Sequence, residues 1–207
     1  MGRARQSTFS EAITLARRGD LVFVAGKGAL SAVIRLASGN PTHVAVVKES
    51  LVDDLELLES TTLNRWSGKR GVQIVSLRRK MQESPDDTYW LALLKPEVAS
   101  AIRWPEANAY ISSIISRPYD YLQAIGSAIG QYLPWLPSIS IKRSLYCSEL
   151  AAGVLRSSGA VPKSWDPTPT PHQLARWPIY REILWIGGPQ RPFPDEDPKA
   201  PIVAAIA

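Results

Sequence analysis

The chain has 207 residues, a net charge of +5 from 24 Lys and Arg against 19 Asp and Glu, and 45% apolar residues. That length supports one domain with a sizeable core and requires no second. The basic residues fall in scattered pairs such as Arg17-Arg18 and Lys69-Arg70 and in the run Arg78-Arg79-Lys80, a pattern of solvated faces. No nucleic-acid partner is expected, while peripheral contact with a negatively charged membrane or cell envelope stays open. One cysteine excludes an internal disulfide, and two histidines beside it make a poor metal site, so no cofactor or metal is expected. Met1 to Gln6 is basic without the apolar core of a signal peptide, and Gln6 stands where a myristoylation pattern has Ser or Thr. Residues 121–141 carry no charge but are interrupted by glycine, proline, glutamine and serine, which argues against a membrane span. Synthesis in the cytoplasm is the expectation.

Helical spacing over Ser10 to Arg18 stops at Gly19-Asp20, and Leu21-Val22-Phe23-Val24 reads as a buried strand. The turn Ala25 to Gly28 lacks the Ser or Thr that a phosphate loop needs after Gly-Lys, and a helix over Ala29 to Ala37 ends at Gly39-Asn40-Pro41. His43 to Val47 and Leu55 to Ser60, separated by a polar break, predict an antiparallel hairpin. After a polar loop at Thr61 to Arg70, strands are predicted at Val72 to Leu77 and Thr88 to Leu94. Helical spacing resumes from Pro96 to Ile114, with Pro105 opening a second segment, and restarts at Arg117 towards Leu133. Beyond the Cys147 helix come a proline-rich loop, Val161 to Pro171, and a last strand at Tyr180 to Ile186. The expected organisation is a helix or extension over 1–18, a domain over 19–186, and a proline-rich tail over 187–207.

Cys147 stands where a helix should begin. Ser144 is a candidate N-cap, Leu150, Ala151, Val154 and Leu155 form an apolar stripe, and Gly159 marks the end. A thiol in the first turn is acidified by free N–H groups and the helix dipole, which favours the nucleophilic thiolate. The alternative is a small buried apolar residue. A cysteine nucleophile needs a base and a group that orients it. His172, after proline-rich sequence, reads as a surface residue at a helix start. His43 opens a strand, and a connection over residues 48–54 would place it directly opposite Glu59, on the same face. An ordinary cross-strand polar pair is the competing reading.

The segments Gly19-Asp20-Leu21-Val22-Phe23, Thr42-His43-Val44-Ala45, Leu58-Glu59-Ser60 with Gly71-Val72, Pro118-Tyr119-Asp120-Tyr121 and Tyr146-Cys147-Ser148-Glu149-Leu150 resemble the YiiX/YebB-like permuted branch of the NlpC/P60 papain-fold cysteine hydrolases. In that branch the histidine and its acidic partner precede the cysteine, as they do here. The resemblance implies an α+β papain-like domain whose antiparallel sheet packs against the helix carrying Cys147. It implies Cys147 as nucleophile, His43 as base and then acid, and Glu59 as orienting acid. An oxyanion hole would use the Cys147 N–H, with Tyr119, Tyr121 and Tyr146 as candidates for a second donor. The implied activity is hydrolysis of an amide bond in a peptide or peptidoglycan fragment. An acylated small molecule or lipid, or a binding module without turnover, are the alternatives.

Overall fold

Leu21 to Ala25 is apolar at every position because it lies in the middle of a sheet that is covered on both sides. The computed structural model describes residues 4–61, 71–115 and 146–197. The expected helix from Arg117 to Leu133, Ser144 and the segment Pro201 to Ala207 lie outside them. In chain order the elements are β1 (Ala4–Gln6), α1 (Phe9–Leu15), β2 (Leu21–Ala25), α2 (Ala29–Ser38), β3 (His43–Ser50), β4 (Leu55–Thr61), β5 (Gly71–Ser76) and α3 (Leu77–Glu83). There follow β6 (Thr88–Leu94), α4 (Pro96–Ser100), α5 (Trp104–Ile114), α6 (Cys147–Ser157), α7 (Pro171–Ala175) and β7 (Tyr180–Gly187). The result is a mixed α+β architecture on a seven-stranded sheet of order β1-β7-β6-β2-β3-β4-β5, antiparallel except where β1 joins β7.

Strand alternation divides the core into two layers. Leu21, Phe23, Val44, Val46 and Leu58 face the stripe Leu150, Ala151, Val154 and Leu155 of α6. Val22, Val24, Ala45, Val47, Leu55 and Leu57 face the other way, against Ala12 and Ile13 of α1 and Leu77 of α3. Gly153 lets α5 approach α6: a Cβ there would lie 2.1 Å from the Tyr110 hydroxyl oxygen. Asp20, 4% exposed, joins three segments, since its carboxylate accepts the N–H of Arg17 at 2.7 Å and of Leu94 at 2.8 Å.

The elements differ from expectation at informative places. α1 stops at Leu15 instead of Arg18, because Ala16 turns extended and Arg17 N–H is taken by Asp20. The strand read over Val72 to Leu77 ends at Ser76, which caps a helix instead: its hydroxyl accepts the Arg79 N–H at 3.0 Å. In the hairpin, Val46 pairs with Leu58 and Val47 with Leu57, two residues from the expected register, because β3 runs on to Ser50 with a bulge after Val47. A slip of two keeps each side chain on its own face. The N-cap of α6 is Tyr146, not Ser144, and it makes no side-chain cap.

The stretches read as N-terminal extension and C-terminal tail both reach the core. β1 pairs with β7, and past Gly187 the chain returns Phe193, 2% exposed, into edge-on contact with Phe23 and Trp90 at centroid distances of 5.4 and 5.5 Å. Phe193→Ala is expected to cost about 3 to 5 kcal/mol in urea unfolding, and truncation after Gly187 to lower the melting temperature clearly. A truncated chain that melts with the full one would show that Phe193 is not part of the core.

Candidate functional site

Glu59 follows Leu55 and Leu57 on the face of β4 that packs against α3, and only 3% of its side chain is exposed. A carboxylate so enclosed must find partners or become protonated. Two cations meet one of its oxygens: Oε2 lies 2.8 Å from His43 Nε2 and 2.7 Å from Lys80 Nζ. His43 opens β3, next to Val24 across the β2 ladder. Continuing the observed hairpin register puts it diagonally from Glu59 and not directly opposite, still on the same face and within reach of a long side chain. Burial by itself raises the Glu59 pKa, but Lys80 and then His43 outweigh it and hold the carboxyl at about 2.

Lys80 comes from α3, the helix the sequence reading missed. Asp54, in the turn between β3 and β4, accepts the Ser76 hydroxyl on one oxygen and the Arg78 N–H on the other, at 2.9 Å. From β6, the Tyr89 hydroxyl donates to the Lys80 carbonyl at 3.1 Å. The helix that carries Lys80 is thus tied both to the hairpin and to the middle of the sheet.

Cys147, 3% exposed, is the first residue of α6. The helix packs on the sheet face opposite Glu59, and thiol and imidazole meet at the N-terminal end of β3. His43 Nε2 is taken by Glu59, which leaves Nδ1 as the ring nitrogen for the sulfur. Burial pushes the Cys147 thiol up, yet the His43 imidazolium, the hydrogen bond it makes, and the N–H groups of Val44 and Ser148 bring it below the ordinary thiol value. Reciprocally, burial lowers the His43 pKa, but the Cys147 thiolate and then Glu59 raise it to about 9. Each of the two groups thus favours the charged form of the other.

Ordered around that pair, the remaining candidates separate. Tyr146 is buried and its hydroxyl donates to Thr168 O at 2.7 Å, so that group is committed to the fold. Tyr119 and Tyr121 lie outside the described residues. His172, in α7, bonds through Nδ1–H to Asn40 O at 2.6 Å, in the loop that leads into His43. Its ring lies beneath Gly39, where φ is +87° and a Cβ would stand 3.1 Å from Nδ1. Among the described residues no group of three or more His, Cys, Asp or Glu is placed to hold a metal ion, and no helix is long and apolar enough to cross a membrane.

Glu59 is charged in the folded chain well below its ordinary value of 4.5. Its contribution to stability is therefore complete above about pH 4.5 and is lost as pH falls through about 2. The gap in melting temperature between wild type and Glu59→Gln is expected to hold steady down to about pH 5 and to shrink below it. A gap independent of pH would mean that the carboxylate charge is not what stabilises this site.

No family model matches the chain, and no curated protein matches it. Among solved structures it is similar to the metalloprotein YiiX from Escherichia coli O157:H7, at 16% identity and a TM-score of 0.48, over 71% of this chain and 68% of that one.

Proposed function

We propose that the chain is a cysteine hydrolase of peptidase or amidase type on a permuted papain-like, NlpC/P60 fold, with Cys147 as nucleophile, His43 as base and acid, and Glu59 as the orienting carboxylate. The observation that carries the reading is the continuous line from a thiol at a helix start, through an imidazole, to a buried carboxylate. The chain order of the three residues, His43, Glu59, Cys147, supports the permuted form of the fold.

In this mechanism the thiolate attacks the carbonyl carbon of a bound amide, and the carbonyl π electrons move to oxygen. The Cys147 backbone N–H, in the first turn of α6, is the donor that would stabilise that oxyanion. As the tetrahedral adduct collapses, the imidazolium of His43 gives its proton to the departing nitrogen and a thioester remains. Water then attacks the thioester and yields a proton to His43, the carbon–sulfur bond breaks, and the thiolate–imidazolium pair returns. Glu59 keeps the ring in the orientation that presents Nδ1 to sulfur throughout. A peptide or peptidoglycan fragment is the first choice of substrate. Residues 121–141, whose uncharged sequence makes an acyl chain the alternative, lie outside the described part of the chain.

Iodoacetamide at pH 6 is expected to label Cys147 about tenfold or more faster than a free thiol, which is almost wholly protonated there. Glu59→Gln should raise the apparent thiol pKa and His43→Ala should abolish the advantage. Glu56→Gln, whose partner is Lys48 at 2.8 Å, should change neither. Labelling of the native protein no faster than after denaturation would refute the nucleophile assignment. Intact mass after incubation with peptidoglycan fragments and acylated lipids would then identify the substrate class by the adduct left on Cys147.

A further inference from the structure

Arg78, Arg79 and Lys80 are consecutive, yet they are used differently. Arg78 reaches Asp53 and stacks 5.0 Å over Phe9, and Arg79 pairs with Glu83 on the same helix; their side chains are 45% and 48% exposed. Lys80, at 24%, turns inward to Glu59 Oε2, the oxygen that already receives His43 Nε2. Its backbone is held in place by the Ser76 cap with Asp54 behind it, and by Tyr89 on its own carbonyl. A surface lysine making an incidental ion pair has no need of such anchoring.

We propose that Lys80 is a positioning residue for the Cys147–His43–Glu59 site, holding Glu59 Oε2 from the α3 side and setting the pH range over which thiolate and imidazolium coexist. This rests on the reading of Cys147 and His43 as nucleophile and base. A carboxylate with one cationic partner would grip the imidazolium as tightly as burial allows. Sharing the same oxygen with an ammonium weakens that grip, and the ammonium itself repels the imidazolium, so the proton is released more readily to a leaving group. At the same time the second hydrogen bond removes the rotational freedom that would let Glu59 swing away from Nε2.

The groups around Glu59 are few enough to make this testable. His43 faces it from β3, Lys80 from α3 and Tyr89 from β6, while Gln73 is its partner across β5; Cys147, from α6, acts on it through His43. Burial keeps the Tyr89 hydroxyl protonated far above neutral pH. Lys80 is thus the charge whose removal should act on the catalytic pair from the far side.

The test is the rate of Cys147 alkylation by iodoacetate, an anionic reagent whose fast reaction needs both the thiolate and the neighbouring imidazolium, in the full-length protein from pH 4 to 10, read by intact mass, for wild type, Lys80→Met, Lys80→Arg and Arg79→Met. Wild type should give a bell. Loss of a nearby positive charge should move both limbs of Lys80→Met to higher pH by about half a unit to one unit, which is a fall of about three- to tenfold in rate on the acid side. Lys80→Arg should restore the wild-type limbs and Arg79→Met should superpose on them. A Lys80→Met profile with the limbs of wild type, altered only in amplitude or melting temperature, would overturn the proposal, since a packing role changes stability without moving a titration. If Lys80→Met is unfolded at the assay temperature, Lys80→Gln is read in the same way, and limbs matching wild type again overturn it. Failure of the functional reading looks different: wild type itself would follow a single free-thiol titration with no alkaline limb.

Discussion

A single carboxylate oxygen organises this molecule's polar interior. Glu59 is enclosed by leucines of its own strand and by α3, where an isolated charge would be untenable, and the two cations at Oε2 offset the cost of removing it from water. Each cation is then fixed by what it costs to lose. Without His43 the carboxylate retains only a lysine on the far side of the sheet from the thiol, and without Lys80 its remaining partner is itself a titrating group. Charge-assisted hydrogen bonds of this length are the strong kind, and here they also carry geometric information.

The sheet separates the components. α6 lies on one face with Val44, Val46 and Leu58, and α3 lies on the other with Val47, Leu55 and Leu57. Glu59 and Lys80 belong to the second face, the cysteine to the first, and His43, at the first position of β3, stands where the sheet ends and the two can meet. A histidine in the middle of the strand could serve one face only. The same placement at the end of the strand leaves the imidazole 18% exposed, against 3% for Glu59.

Much of this was legible in the chain because strands and helices encode faces by parity. His43 and Glu59 remain together although the hairpin slips by two residues, since an even slip does not change which side a residue occupies. Cys147 at a helix start was readable from the apolar stripe that follows it. Ser144 misled because short polar residues are good caps, yet Tyr146 at the N-cap makes no side-chain cap and the Ser148 N–H of the first turn serves the sulfur. Lys80 was hidden for two reasons. Leu77 continues the alternation of β5, and the switch to helix is stabilised by Asp54, more than twenty residues earlier. A run of three basic residues also looks the same in sequence whether all three face water or one faces in. β1 is only three residues long and is defined by its neighbour β7, not by any pattern of its own.

That short first strand carries a consequence for how the protein behaves among other copies of itself. β7 is an eight-residue strand rich in Ile183, Leu184, Trp185 and Ile186, and without β1 its outer backbone groups would form an open edge able to accept any passing extended chain. β1 occupies three of those positions, and Arg5, bound to both Glu11 and Glu182, puts a charge beside them. Ala4 to Ser7 thereby act as a guard on the sheet: displacing them would leave Cys147, His43 and Glu59 untouched and convert the other end of the sheet into a seed for edge-to-edge association.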